Sequence, residues 1–201
     1  MKTHYQRNLP HLLPPWTIIF FIFRLADSIA TAALQRLVEE RELAIQDALC
    51  QPLATGQVIN IKKQHFAKYD ALLDKADYGP MWLRVPAIVE AVAHEIKLLT
   101  ELEVGILAYC IMSNHVHLVV QLPELPDFSA ARMMQRLKGR TALAANKLLG
   151  RQGEAFWRHE SYDHVVRDGK EQERVVAYVV NNPVKAGLVE DWTQWPYTYV
   201  R

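Results

Sequence analysis

Two histidines separated by one residue, His115 and His117, lie in the run Tyr109-Cys-Ile-Met-Ser-Asn-His-Val-His-Leu-Val-Val120. The β-branched and apolar character of this run predicts a strand, in which alternate side chains share a face. Both imidazoles then project to one side, while Val116, Leu118 and Val120 point to the other. Their Cα atoms stand about 6.5 Å apart, so both rings can reach one divalent ion. A surface or hydrogen-bonded pair is the plainer reading of the spacing alone.

A second group with chemical potential lies near the end, in Glu173-Arg-Val-Val-Ala-Tyr-Val-Val-Asn-Asn-Pro-Val-Lys-Ala-Gly-Leu-Val189. Tyr178 and Asn182 are four residues apart and share one helix face. A phenol beside a metal-bound phosphate is a competent nucleophile, and an amide oxygen can complete a coordination sphere. Alternatively Tyr178 packs, and Asn182, which precedes a proline, only ends the helix. Upstream, His159, Glu160, Asp163 and His164 are alternative third ligands or partners of the ligands. Trp157 and Tyr162 have the rings to stack on bases, though core packing explains them equally well.

Between these groups, residues 129–151 hold six basic residues and no acidic one. On a helix, Arg132, Arg136, Arg140, Lys147 and Arg151 fall within an arc of about 100°. Lys138 lies off that stripe. No arginine of the row has an acidic i,i+4 partner, and such a row suits nucleic-acid phosphates. A solvated helix face is the ordinary alternative. Gly139 is a point for a kink or a phosphate-facing turn.

The elements that must position these groups follow from periodicity. Residues 16–24 read as a buried aromatic strand, and 30–49 as an accessory helix. Residues 51–85 are mixed, with a Gly79-Pro80 turn. Pro86 opens a helix over 87–100. Strands over 104–112 and 115–121 enclose a tight Ser113-Asn114 turn, where Asn tolerates positive φ. Residues 122–128 form a loop and 129–149 a helix. A short strand at 162–167 and a helix at 170–181 follow, the latter stopped by Pro183. The proline-bearing residues 1–15 read as extended. This order predicts an α+β fold, a ferredoxin-like antiparallel sheet with packed helices. It fits one domain over 1–201, with 30–60 a helical insertion.

Composition narrows the classes. Half of the 201 residues are hydrophobic and the net charge is +1, so any basic surface is local. Cys50 and Cys110 form neither a disulfide framework nor a zinc ribbon, which points to a reducing cytosolic setting. The apolar run at Trp16–Phe23 is too short to span a bilayer.

Met112-Ser-Asn-His-Val-His-Leu-Val-Val120, Ser161-Tyr-Asp-His-Val-Val-Arg-Asp168, Tyr178-Val-Val-Asn-Asn-Pro-Val-Lys-Ala-Gly-Leu-Val189 and Trp195-Pro-Tyr197 occur in that order. The set resembles the REP-associated tyrosine transposases, single-tyrosine relatives within the HUH nuclease class. Residues 30–60 fit this resemblance least. It implies an HUH fold with His115 and His117 as metal ligands, Asn182 in the third-ligand position and Tyr178 as nucleophile. It also implies Mg²⁺ or Mn²⁺, and single-stranded or hairpin DNA as partner. Cleavage would leave a 5′-phosphotyrosine and a free 3′-hydroxyl, and the reverse attack would rejoin the strand. Such an enzyme would work in the bacterial cytoplasm, at the nucleoid, as a monomer or a homodimer. Ser113 stands where proline is common, and Val179-Val-Asn181 replaces a more usual aromatic or His-Leu stretch. Two other readings compete: a nucleic-acid-binding protein on the same fold without catalysis, and a metal-dependent hydrolase of a small phosphoester. A basic stripe about 28 Å long disfavours the small substrate.

Overall fold

In the computed structural model the described residues are 13–50, 54–125 and 127–201. Most of the segment expected to be extended at the start therefore lies outside them. The elements are β1 (Ile18–Arg24), α1 (Thr31–Leu49), α2 (Ala54–Lys75), α3 (Pro86–Lys97), β2 (Gly105–Ile111), β3 (His115–Gln121), α4 (Ala130–Leu149), β4 (Tyr162–Val166), α5 (Gly169–Val180), α6 (Asn182–Lys185) and β5 (Thr198–Val200). Asp27–Pro80 form one compact unit, and the rest of the chain forms the other.

The larger unit is an α+β fold around a five-stranded sheet in the order β4-β1-β3-β2-β5, with every pairing antiparallel. One face carries Ile19, Phe21 and Phe23 of β1 with Val116, Leu118 and Val120 of β3. These join Ile88, Val89, Val92 and Ile96 of α3 and Met133, Met134, Leu137 and Ala145 of α4 in one core. Burying a large apolar side chain stabilises by about 1.5–3 kcal/mol, so this face holds the unit together. The other face receives α5, which contacts β2 and β3. Alternation along β3 therefore assigns its valines and leucine to the core and its histidines to the α5 side.

Local chemistry sets the ends of these elements. Pro86 occupies the first turn of α3. Ser129 caps α4, its Oγ accepting from the Arg132 N–H at 3.3 Å. Asp168 caps α5, accepting from the Glu171 N–H at 2.8 Å. Each cap satisfies an amide that the helix leaves open. β5 was not anticipated: three residues are too few to show a period. It is fixed from outside, because the Trp195 indole N–H donates to the Ile111 carbonyl at 2.9 Å and the Ile111 N–H to the Tyr197 carbonyl at 3.0 Å.

In the smaller unit α1 packs against α2, and Lys68 Nζ meets Glu40 Oε2 at 2.6 Å. The 22-residue helix α2 stands where the sequence reads as mixed. Gly56 and the β-branched Val58, Ile59 and Ile61 lower the local helix propensity, and packing overrides it. The Gly79-Pro80 turn is present, with Gly79 at φ 76°. A Cβ on Gly79 would collide with the Asp27 carbonyl, so the two ends of this unit approach through a glycine.

Candidate metal and tyrosine site

β3 presents His115 and His117 opposite Arg24 and Ile22 of β1. His115 Nδ1 lies 2.7 Å from the Asn114 side-chain oxygen. An amide oxygen only accepts, so Nδ1 carries the proton and Nε2 offers its lone pair. The Nε2 atoms of His115 and His117 are 2.8 Å apart. Two lone pairs at that distance repel unless a proton or a cation lies between them. Two nitrogens bound at right angles to one ion, each about 2.1 Å from it, stand about 3 Å apart. The donor set and its spacing therefore fit a divalent cation.

The tight turn expected at Ser113-Asn114 is present, closed by the Met112 N–H donating to the His115 carbonyl at 2.9 Å, but Asn114 does not use a positive φ there. It is not among the described non-glycine residues with positive φ. Its amide instead fixes the tautomer of the next residue. The signal available in the sequence was its place directly before His115.

Tyr178 on α5 faces the same ring pair. Its ring is 5.7 Å from that of His117, edge to face, and 6.1 Å from Phe20. Phe20 stacks on His117 with centroids 5.9 Å apart and so aligns the imidazole with the phenol. Sequence reasoning did not single out Phe20; only the register of β1 beside β3 brings it there. Lys185 Nζ sits 5.3 Å from the centre of the Tyr178 ring, within cation–π range.

Four residues on, Asn182 begins α6 instead of ending the preceding helix. It is fully buried, and neither its side-chain oxygen nor its nitrogen has a hydrogen-bond partner among the described residues. A buried amide left so costs about 1–3 kcal/mol. The oxygen is a donor of the kind that a hard cation takes.

Of the other candidate ligands, His164 and Glu160 have other partners. His164 Nε2 is 2.9 Å from Glu171 Oε1. Burial raises the Glu171 carboxyl, but the Arg167 N–H, His164 and the Arg167 charge outweigh it and hold the group below its ordinary value. Glu160 pairs with Arg158 at 2.9 Å. Asp163 lies opposite Phe21 in the register, on the face turned away from the imidazoles. Trp157 is a core residue, packed on Phe23 at 4.9 Å and donating to Thr141 Oγ1 at 2.8 Å, so it is not available for stacking on bases. Tyr162 lies edge-on to Phe20. Burial, then the charges of Asp163 and Glu171, push its phenol up to about 12.

The structure corrects the reading of the basic helix in two respects, its freedom from acidic partners and the role of Gly139. α4 packs on the sheet face opposite the histidines, so its cations do not border the imidazoles. The row is also partly neutralised by acids that lie outside the helix. Arg140 pairs with Glu95 of α3 at 2.6 Å, and Arg151 pairs with Glu154 while stacking over Trp82 at 4.0 Å. Lys138 Nζ donates to the Arg158 and His159 carbonyls at 2.6 and 2.8 Å, a structural tie. Arg132, Arg136 and Lys147 remain exposed. Finally, Gly139 is helical within unbroken α4, so no turn begins there.

Residues 86–182 match the family model described as Transposase IS200 like. The matched segment runs from α3 to Asn182 and contains both histidines, α4 and Tyr178. Over that segment the chain is thus similar to transposases of the IS200-like kind. The more particular likeness is to REP-associated tyrosine transposases. One from Haemophilus influenzae is 34% identical over 98 residues, 45% of this chain and 56% of that protein. One from Escherichia coli is 28% identical over 91 residues, 45% of this chain and 51% of that protein. The chain spans about half the length of these curated relatives. A solved REP-associated tyrosine transposase bound to a REP hairpin aligns at TM-score 0.57 and 17% identity, over 98% of this chain and 82% of the other. That likeness shows a common fold. No helix among the described residues is long and apolar enough to cross a membrane.

Proposed function

We propose that this protein is a metal-dependent single-stranded DNA endonuclease and strand transferase acting at hairpin-forming repeat DNA through a 5′-phosphotyrosine intermediate. The observation that carries the reading is the convergence of the Nε2 atoms of His115 and His117, 2.8 Å apart, with the Tyr178 ring against His117. The sequence likeness to transposases supports it, as does a common fold with a protein bound to a REP hairpin.

His115, His117 and Asn182 would hold Mg²⁺ or Mn²⁺. The bound cation supplies Lewis acidity where charge develops on the phosphate. The chain does the rest. Asn114 keeps His115 in the tautomer that ligates. Phe20 and His117 confine the Tyr178 ring, which limits the directions its hydroxyl can take. The phenol oxygen attacks a backbone phosphorus and forms a P–O bond, while the bond to the 3′-oxygen breaks. The phenol proton passes to solvent, and the leaving 3′-oxygen takes one up. Attack by a 3′-hydroxyl on the phosphotyrosine reverses these steps, so joining needs no external energy source. Of two neighbouring phenols, Tyr178 is the suitable nucleophile, because its ring stands against His117 while Tyr162 lies edge-on to Phe20.

Incubation with end-labelled hairpin DNA and Mn²⁺ tests the reading. A denaturation-resistant adduct is expected with the native protein and none with Tyr178→Phe. An adduct that persists after this substitution would overturn the proposal. Loss of the adduct in His117→Ala with DNA binding retained would separate cleavage from simple binding.

A further inference from the structure

A cleft of about 480 Å³ opens at the start of α4, a volume in the range that takes a small planar ligand. Its apolar wall is built by Leu102, Leu125, Phe128 and Met133. Met133 and Phe128 belong to the packed core or lie against it, which makes the floor rigid. Leu125 lines the cleft and is 47% exposed.

Arg132 and Arg136 stand on the rim one helical turn apart. Both are exposed, and neither is in any ion pair among the described residues, unlike Arg140 and Arg151 of the same row. The N-terminal end of α4 adds its partial positive charge on the same side. Asp127, also on the rim, is an acceptor of the kind that pairs with the amino group of a base. An apolar lining, two exposed guanidinium groups and one acceptor together match the three parts of a nucleotide: base face, phosphates and base edge.

We propose that this cleft receives one unpaired nucleobase of bound single-stranded DNA, with Arg132 and Arg136 on the flanking phosphates. The proposal rests on the DNA-acting reading above and adds a second, separate contact to it. The cleft adjoins the ends of β2 and β3 remote from the histidines, and β3 from His115 to Gln121 is about 20 Å long. That distance equals about six base-pair steps. The base held here is therefore not the nucleotide whose phosphate is cut.

The test measures binding by fluorescence anisotropy with three probes: a mixed-sequence single strand, the same strand carrying abasic sites, and a hairpin whose loop is abasic. The native protein is expected to bind the intact strand about tenfold tighter than the abasic one, the effect of one stacked base. Leu125→Glu, at an exposed lining position, should erase that difference and leave hairpin binding unchanged. Phe128→Ala should do the same, and the exposed Leu125 position covers the case in which Phe128→Ala fails to fold. Arg132→Gln and Arg136→Gln should weaken both single strands alike and each reduce the salt dependence by about one unit of slope. Equal native affinity for intact and abasic strands would overturn the proposal, as would discrimination that survives Leu125→Glu. Either result leaves the Tyr178 adduct untouched. Loss of the adduct with base discrimination retained would instead overturn the catalytic reading alone.

Discussion

Replacing Asn114 by alanine probes whether the coordinating tautomer of His115 is set by its neighbour. The side-chain oxygen of Asn114 lies 2.7 Å from His115 Nδ1. Its backbone carbonyl separately accepts from the Leu25 N–H at 2.8 Å, which the substitution leaves in place. A buried neutral hydrogen bond contributes about 1 kcal/mol net, roughly a fivefold change in an equilibrium constant. Without it the His115 ring can also rotate and exchange tautomers, so part of the population presents a protonated Nε2. Loss of such a partner typically weakens metal binding by about 10–100-fold, and about tenfold is expected here. Isothermal titration of Mn²⁺ into the metal-free protein is the assay, with circular dichroism to confirm an unchanged fold. Asn114→Asp keeps an acceptor and should bind at least as well as the native protein. If Asn114→Ala binds Mn²⁺ with native affinity while His115→Ala does not, the tautomer argument fails.

Three further outcomes are expected. In an ultraviolet titration of phenolate, one tyrosine should lag to about pH 12, and that phase should vanish in Tyr162→Phe. The folded phenol ionises later than the unfolded one at about 10. Its contribution to stability is therefore complete below pH 10 and lost as pH rises toward 12, at most about 2–3 kcal/mol. Gly139 is helical, and a Cβ added there would meet open space, so Gly139→Ala should raise the denaturation midpoint by an amount equivalent to about 0.5–1 kcal/mol. Thr141 accepts from the Trp157 indole N–H at 2.8 Å and is fully buried. Thr141→Val leaves that N–H unpaired and should cost about 1–3 kcal/mol in equilibrium unfolding.

The sequence by itself determined what short-range periodicity controls. Alternation along 115–121 put two imidazoles on one face and three aliphatic side chains on the other, and the sheet keeps that division because a one-residue slip would bury the wrong set. Pro86 and the run after Ser129 marked α3 and α4 through propensity and capping. Tyr178 and Asn182 stood out by residue type and spacing. Only the tertiary structure decided which groups meet. The register of β1 beside β3 set Phe20 on His117, and the seating of α5 set Tyr178 against the same ring. Asn114 became the partner of His115 through side-chain geometry that a turn propensity does not encode. The basic helix looked free of acids because Glu95 and Glu154 lie outside it in sequence, and its placement behind the sheet follows from its apolar face joining the core of α3. Helix α2 and strand β5 were hidden for a related reason. Their local preferences are weak, and packing against other elements stabilises them.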